Sequence, residues 1–351
     1  MSDERWSTQR AWTWWDAQPW PVGCNFLPST AGNQLEMWQA ESWDPETCQR
    51  ELGFAAELGL DTVRVYLHDL VWEHDREGFL ERIDALLGFG ERRGIRTLLV
   101  LFDDVWGPEP KAGPQPEPHP GRHNSTWVKS PGLPALRAYA SDGALRERLE
   151  RYVKGVVSAF GRDPRVLGWD LYNEPGGNTP FGEPVGTLSL PLLRDVFAWA
   201  RAAGPQQPLT SGLWWNALAP VDPAIYAAQL ERSDVVSFHH YGSAEELVAL
   251  IGGLASLTGR PLLCTEYLAR PLGSRFETHL PLFRERGVGA IHWGLVAGRS
   301  QTVYPWWSWL DDPPKPEPEV WFHDVLRPDG TPFDAQEVAF LRRFLREGRR
   351  R

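Results

Sequence analysis

Short apolar runs alternate with amphipathic stretches along most of the chain. Residues 62–67 (TVRVYL) alternate and are β-branched, and residues 95–102 (IRTLLVLF) are apolar on both faces. Both patterns are typical of strands, and the second is typical of a parallel strand buried on both sides. In all, the pattern predicts eight strands, at 22–26, 62–67, 95–102, 166–172, 208–212, 235–239, 261–265 and 289–293.

The stretches between these runs have apolar positions at helical spacing. In the first, Asp44 and Pro45 fit an N-cap and a first helical position, and Gly59 lies where a C-terminal cap belongs. Further helices are predicted at 79–93, 145–160, 192–203, 244–257, 276–286 and around 335–345. The fifth crossover, 214–232, has no clear pattern.

Eight strand–helix units indicate an α/β protein whose parallel sheet closes into a (β/α)8 TIM barrel. An open, doubly wound sheet is the alternative, but no GxGxxG follows the first strand, so dinucleotide binding has no support. A length of 351 residues fits one barrel. We therefore predict a single domain over 1–351, with its barrel core at about 20–300 and a C-terminal helix packed on the barrel.

The composition mainly excludes certain partners and kinds of site. The net charge is −10 and there is no basic run, which disfavours nucleic acid and anionic membranes as partners. No apolar stretch is long enough to span a bilayer, and the first residues, MSDERWSTQR, lack the apolar segment of a secretory leader. Three cysteines without CxxC spacing indicate neither a disulfide framework nor a zinc site. We expect a cytoplasmic protein with no cofactor and no metal.

Two long segments follow predicted strands at the end where barrel active sites are built. Residues 103–134 hold six prolines between positions 108 and 120, which suggests a stiff wall, and residues 294–320 hold Trp306, Trp307 and Trp309. The chain has 19 tryptophans, and their flat apolar rings suit the face of a sugar ring, although many belong to a core. A carbohydrate is thus a candidate partner.

Two acidic residues lie at predicted strand ends. Glu174 closes GWDLYNEP after the fourth strand, and Glu266 closes the seventh strand in PLLCTEY. The carboxyl ends of barrel strands meet at one rim, so these residues can face each other although they are remote in sequence. A carboxylate beside a buried strand is costly unless something offsets that cost, and catalysis is one reason. Paired carboxylates are typical of glycosidases, where one donates a proton and the other attacks the anomeric carbon.

These two motifs resemble the acid/base and nucleophile motifs of clan A glycoside hydrolases, most closely family 5, the cellulase and mannanase-like enzymes. The resemblance extends from about residue 23 to residue 293. It implies that Glu174 is the acid/base and Glu266 the nucleophile of a retaining enzyme. It also implies supporting or sugar-binding roles for Arg64, Asn173, His239, Tyr241 and Trp293.

The chain departs from the family pattern at the third strand end, where a histidine is usual. Here LFDDVW supplies Asp103 and Asp104, and His123 could fold back from the long loop instead. Trp214, with its neighbour Trp215, could form a platform after the fifth strand, and Glu36 after the first strand could contact a sugar.

We therefore expect a retaining β-glycoside hydrolase that acts on short soluble β-linked oligosaccharides in a blocked pocket. The first alternative is an endo-acting β-mannanase, xylanase or glucanase, and the second is a sugar-binding barrel without catalysis. A third is a metal-dependent barrel enzyme whose ligands would come from Asp103, Asp104, His123, His239, His240 and His292.

Overall fold

Eight parallel strands form one sheet, in the order β5-β4-β3-β2-β1-β8-β7-β6, in a computed structural model that describes residues 5–107, 109–177, 185–214 and 222–348. Just beyond β5, Leu213 bridges Phe238 of β6 in parallel, which brings the two ends of the sheet together. The (β/α)8 barrel is therefore confirmed. Its strands are β1 (Val22–Asn25), β2 (Thr62–Tyr66), β3 (Arg96–Val100), β4 (Val166–Asp170), β5 (Leu209–Thr210), β6 (Val236–His239), β7 (Leu262–Glu266) and β8 (Gly289–His292).

Helices precede, separate and follow the strands, and most of them form the outer layer. They are α1 (Thr8–Asp16), α2 (Gln34–Trp38), α3 (Pro45–Leu58), α4 (Asp69–His74), α5 (Arg76–Glu91), α6 (Leu133–Ala138), α7 (Gly143–Phe160), α8 (Leu190–Ala202), α9 (Pro223–Arg232), α10 (Ala244–Thr258), α11 (Phe276–Glu285) and α12 (Ala335–Gly348). The unclear fifth crossover contains α9. Among the helices of the described ranges, none is both long enough and apolar enough to cross a lipid bilayer.

Local sequence signals account for the helix ends. The Asp44 side chain accepts a hydrogen bond from the Thr47 backbone N–H at the start of α3, and Pro45 occupies the first turn. Gly59 ends that helix at φ 92°, a left-handed conformation that glycine adopts without a steric penalty. These caps agree with the predictions, so α3 is determined largely by its own residues.

The N-terminal mouth of the barrel is closed by α1, a helix that the apolar pattern did not reveal. Trp15 of this helix is buried. It forms a separate apolar cluster with Leu98, Val235, Leu263 and Ile291, which come from β3, the start of β6, β7 and β8. The helix therefore acts as a plug at the end of the barrel opposite the strand carboxyl ends.

Candidate active site

Glu174 and Glu266 meet at the carboxyl-terminal rim of the barrel. Glu266 is the last residue of β7, and Glu174 lies in the turn after β4. His239 of β6 stands between them, with its Nδ1 2.5 Å from Glu174 Oε1 and 3.5 Å from Glu266 Oε2. One atom from each of the three side chains lies within 4.8 Å of the others. The structure thus brings the two remote carboxylates to one place.

Both oxygens of the Glu266 carboxylate accept hydrogen bonds. Arg64 Nη1 and the Tyr66 hydroxyl donate to Oε1 at 2.8 and 2.9 Å, and the Tyr241 hydroxyl donates to Oε2 at 2.7 Å. Three donors, one of them a guanidinium, stabilise the ionised form of a carboxylate. Glu266 is therefore held as an anion in a fixed orientation.

Arg64 is fully buried and connects four strands. Its Nη2 donates to Asp170 Oδ2 at 2.7 Å and to Asn173 Oδ1 at 2.6 Å, and its Nη1 donates to Asn25 Oδ1 at 2.9 Å. A buried guanidinium is tolerated only where its donors are matched by acceptors and its charge is balanced. Asp170 and Glu266 supply that balance, so this network fixes the bottom of the site.

Glu174 has the opposite electrostatic environment. Burial raises the pKa of Glu174 to about 8, while Arg64 opposes this rise and Asp170 adds to it. Burial also lowers the pKa of His239 to about 4. At neutral pH, therefore, Glu174 is a protonated acid and its partner His239 is an uncharged imidazole.

The backbone near Glu174 and His239 has one unusual conformation and one close approach. Glu174 has φ 43°, which costs a non-glycine residue conformational energy and occurs often at functional sites. Gly212 lies against the His239 ring, and a Cβ there would stand 2.9 Å from Nε2. A larger residue at 212 would push the imidazole away from Glu174.

Asp103 and Asp104 are buried supports of the site. Asp103 accepts from Asn173 Nδ2 at 2.9 Å and from Trp127 Nε1 at 2.7 Å, and burial raises its pKa to about 7. Asp104 accepts from the Tyr172 hydroxyl and the Gly176 backbone N–H, both at 2.8 Å, and burial raises its pKa to about 6. Asp103 thus orients the Asn173 amide, and Asp104 holds the turn that carries Glu174.

Aromatic rings pack around the site near both β2 and β6. Trp293, which follows β8 and is partly exposed, packs edge-on against Tyr66 and Trp127 at centroid distances of 5.9 and 5.7 Å. Trp306 packs edge-on against Tyr241 at 5.0 Å. These rings thus pack against Tyr66 and Tyr241, the two tyrosines that donate hydrogen bonds to Glu266.

Within the described ranges, no hydrogen bond or ion pair joins three other predicted residues to the two carboxylates. His123 is buried inside the long loops, with Nδ1 2.8 Å from Tyr304 O and its ring against Trp106. Glu36 pairs with Arg299 at 3.1 Å. Trp214 follows β5 and is buried, and its indole nitrogen has no hydrogen-bond partner within the described ranges. Trp215 lies outside the described residues.

Sequence reasoning did not identify Tyr66, Gln34 or Trp127 as part of this network. Tyr66 lies two positions after Arg64 in β2, so strand alternation could have placed both side chains on one face. Gln34 and Trp127 reach Asp103 from loops, where no periodic signal exists.

The proposed metal ligands do not gather as a set. Within the described residues, the group that brings three possible ligand atoms together is Glu174, His239 and Glu266. Of the six residues in the metal hypothesis, this group contains only His239. The geometry of the rim therefore gives little support to a metal-dependent enzyme.

No protein-family model and no curated protein matches this sequence. Solved structures do match in fold. A variant of GH5_18 from Streptomyces cattleya, in complex with Manβ1-4GlcNAc, is 17% identical with TM-score 0.64, and the match covers 94% of this chain and 80% of that chain. The exo-β-1,4-mannosidase Op5Man5 from Opitutaceae bacterium strain TAV5 is 18% identical with TM-score 0.65, covering 100% of this chain and 62% of that one.

The endo-β-1,4-mannanase from Thermotoga petrophila is 14% identical with TM-score 0.59, and the match covers 95% of this chain and 78% of that chain. The chain has the fold of these glycoside hydrolases. The expected resemblance to family 5 is therefore confirmed at the level of fold. Because sequence identity is this low, the chemistry has to be argued from the side chains themselves.

Proposed function

We propose that this protein is a retaining β-glycoside hydrolase in which Glu266 is the nucleophile and Glu174 the general acid/base. The observation that carries the proposal is the contrast between the two carboxyl groups, which face each other across His239. One is hydrogen-bonded as an anion, and burial raises the pKa of the other to about 8. Such a pair provides an attacking group and a proton donor at the same pH.

In the first step Glu266 attacks the anomeric carbon and forms a glycosyl ester. The glycosidic C–O bond breaks, and its electron pair goes to the leaving oxygen, which takes the proton of Glu174. In the second step the Glu174 carboxylate takes a proton from water as the water oxygen attacks the anomeric carbon. The ester bond breaks, its electron pair returns to Glu266, and Glu174 is again protonated.

The spacing of the two groups favours this route over inversion. Retaining enzymes have carboxyl groups roughly 5–5.5 Å apart, and inverting enzymes need roughly 6.5–9.5 Å to admit a water. Here one carboxyl oxygen of Glu174 and one of Glu266 lie within 4.8 Å of each other, which is shorter than the separation in inverting enzymes. A sugar held between them would contact Glu266 directly.

The supporting residues fit the same reaction. Asn173 uses Oδ1 to accept from Arg64 and one Nδ2 hydrogen to donate to Asp103, which leaves its second Nδ2 hydrogen for a sugar hydroxyl. Trp293 presents a partly exposed ring for the apolar face of the sugar. We assign both residues to the subsite of the sugar whose bond is cleaved.

We propose β-linked mannose in short oligosaccharides as the substrate class. The support comes from the similar structures, which include an exo-β-1,4-mannosidase, an endo-β-1,4-mannanase and a complex with Manβ1-4GlcNAc. Several differently specialised enzymes on one fold thus share a sugar. A panel of 4-nitrophenyl β-mannoside, β-glucoside and β-xyloside tests this assignment.

The mechanism is tested with Glu266→Gly and Glu174→Gly in the presence of azide. Each variant should lose activity by a factor on the order of 10⁴ on the best aryl glycoside, because each lacks a group that enters the chemistry. Azide should then yield an α-glycosyl azide with Glu266→Gly and a β-glycosyl azide with Glu174→Gly. Glu147→Gln, a change at an exposed glutamate of the outer helix α7, is the control and should retain activity. Full activity in either glycine variant would contradict the proposal.

A further inference from the structure

Three long loops stand together at the carboxyl-terminal rim. They follow β1 (26–44), β3 (101–132, described without 108) and β8 (293–334). We call this assembly the three-loop wall. These loops come from different parts of the chain, so the contacts between them determine whether the rim is open or closed.

The β3 and β8 loops are joined by hydrogen bonds from one short segment. The Arg122 guanidinium donates to the backbone carbonyls of Ser308 and Asp311. The His123 backbone N–H donates to Ser308 Oγ at 3.0 Å, and Trp309 Nε1 donates to the His123 carbonyl at 2.8 Å. This segment is the main link between the two loops.

A second set of bonds continues the junction. The Asn124 backbone N–H donates to the Ser300 carbonyl at 2.9 Å. Gln301 Nε2 donates to the His119 carbonyl at 2.8 Å, and its Oε1 accepts from the Gly121 backbone N–H at 2.9 Å. The β3 loop is thus bound to the β8 loop along several residues rather than at one point.

The β1 loop is bound to both of its neighbours. Arg299 of the β8 loop pairs with Glu36 at 3.1 Å and with Glu117 at 2.8 Å. Asn33 Nδ2 donates to the Thr126 carbonyl of the β3 loop at 2.7 Å. All three loops therefore form a continuous barrier.

The hydrogen bonds that join the three loops lie on one side of the carboxylates, and Trp306 of the β8 loop also packs against Tyr241 after β6. Glu174 follows β4 and Glu266 ends β7, so β8, β1, β2 and β3 lie on one side of the line between them, with β5 and β6 on the other. Arg64 and Trp293 lie on the wall side. Glu174, the proposed proton donor to the leaving group, contacts His239 of β6 on the opposite side. The reacting sugar thus lies towards the wall and the leaving group away from it.

A pocket beside Trp293, which Tyr66 and Trp127 also line, contains a polar group without a hydrogen-bond partner among the described residues. Asn124 lines this pocket, is 2% exposed and has φ 47°. Its Oδ1 accepts no hydrogen bond from any described residue. A buried unpaired acceptor is costly, and a hydroxyl of a bound sugar would satisfy it.

We infer that the three-loop wall restricts the glycone side to a single sugar, so that the enzyme releases monosaccharides from the non-reducing end, with Asn124 accepting a hydroxyl of that sugar. This inference rests on the proposed glycosidase function. The leaving group is then either a single sugar or a longer chain, since it extends away from the wall.

The product pattern tests the inference directly. β-1,4-Manno-oligosaccharides of three to six sugars carry a fluorescent label at the reducing end, and the earliest labelled products are measured. Each substrate should yield only the labelled chain shorter by one sugar. First products shorter by two or more sugars would overturn the inference, even with full aryl-mannosidase activity. A wild-type protein that hydrolyses no β-glycoside would instead contradict the proposed function.

Arg122→Ala tests whether the wall causes this pattern. Loss of two hydrogen bonds to backbone carbonyls should raise the fraction of products shorter by two or more sugars at least about tenfold. Arg165→Ala removes an arginine that pairs with Asp163 and Asp84 elsewhere, and should leave the pattern unchanged. Ser308→Ala is a milder change at the same link. An unchanged pattern in both folded wall variants would contradict the causal role of the wall.

Asn124→Gly tests the proposed hydrogen bond between Asn124 and the bound sugar. Glycine tolerates the left-handed backbone and removes the amide, so kcat/KM for the aryl mannoside should fall about tenfold while the melting temperature stays equal or rises. A purely structural role would leave kcat/KM unchanged, and that result would remove Asn124 from the assignment.

Discussion

The two ends of the barrel use the same strands for different purposes. At the N-terminal mouth, Trp15 closes the barrel by apolar packing with residues from four strand regions. At the carboxyl-terminal rim, Arg64 is fully buried and meets acceptors from Glu266, Asp170 and Asn173. Apolar packing is non-directional, whereas a buried polar network requires each donor to meet an acceptor.

This difference predicts how changes at each end of the barrel affect stability and catalysis. The plug contributes burial of apolar surface, which tolerates changes that conserve volume. The rim network adds little net stability, because desolvation of its charges offsets their attraction, yet breaking it leaves charges unpaired. We therefore expect changes at the rim to affect both stability and activity, and changes at the mouth to affect stability alone.

The largest effect is expected for Arg64→Met. Methionine fills a similar volume but leaves Glu266 and Asp170 without a cation, which should lower the free energy of unfolding by about 3–5 kcal/mol. Activity of the folded fraction should fall at least about a hundredfold, since the nucleophile loses a charged donor worth ~3 kcal/mol. Urea denaturation and aryl-mannoside kinetics measure the two effects. A stable and fully active variant would show that the network is dispensable.

A smaller loss, confined to stability, is expected for Trp15→Ala. The cavity left at the barrel mouth should lower the free energy of unfolding by about 3 kcal/mol, with kcat/KM per folded molecule unchanged. Trp12 of the same helix is 38% exposed, so Trp12→Ala is the matched control and should cost less than about 1 kcal/mol. A change in KM with Trp15→Ala would mean that the two ends are coupled.

The smallest effect is expected for the pH dependence of kcat/KM, which follows the protonation of Glu174. Its pKa is about 8 in the folded protein, so kcat/KM should decline about tenfold per pH unit above that value as the acid loses its proton. With a dinitrophenyl glycoside, whose leaving group needs no proton, the cleavage step in Glu174→Gln should lack this decline. A decline that persists in the variant would assign it to another group.

The free energy of unfolding should also depend on whether Glu174 is protonated. The folded-state pKa of Glu174 lies above the ordinary glutamic acid value of 4.5, so the folded protein binds the proton more tightly than the unfolded chain. Its stabilising effect is complete below about pH 4.5 and is lost as the pH rises through about 8, at up to about 1.4 kcal/mol per unit. Asp103, with a pKa of about 7, contributes in the same direction. The difference between wild type and Glu174→Gln in urea titrations isolates the Glu174 contribution.

Much of the barrel was predictable because its signals are local. The strand Thr62–Tyr66 and the caps at Asp44 and Gly59 depend on neighbouring residues, and the structure has them where the pattern predicts. The helix α1 was not found, because its few apolar positions matter only against strands that lie far along the chain.

The candidate site was predictable where it depends on strand ends. Parallel strands deliver their carboxyl ends to one rim, so Glu174 and Glu266 could be placed together without any knowledge of the loops. Asp103 shows the limit of that reasoning. Its residue type and position were visible, but its role as the support of Asn173 depends on Trp127, which reaches it from a loop.

The chain alone thus determined the strand order of a barrel and the placement of two carboxyl groups at its rim, since periodicity and strand direction are properties of short segments. Only the tertiary structure decided which carboxyl group is held as an anion and which carries a proton, because burial and the reach of Arg64 depend on contacts between distant strands. It also decided that the loops after β1, β3 and β8 join into one wall, since loop hydrogen bonds follow no repeating pattern.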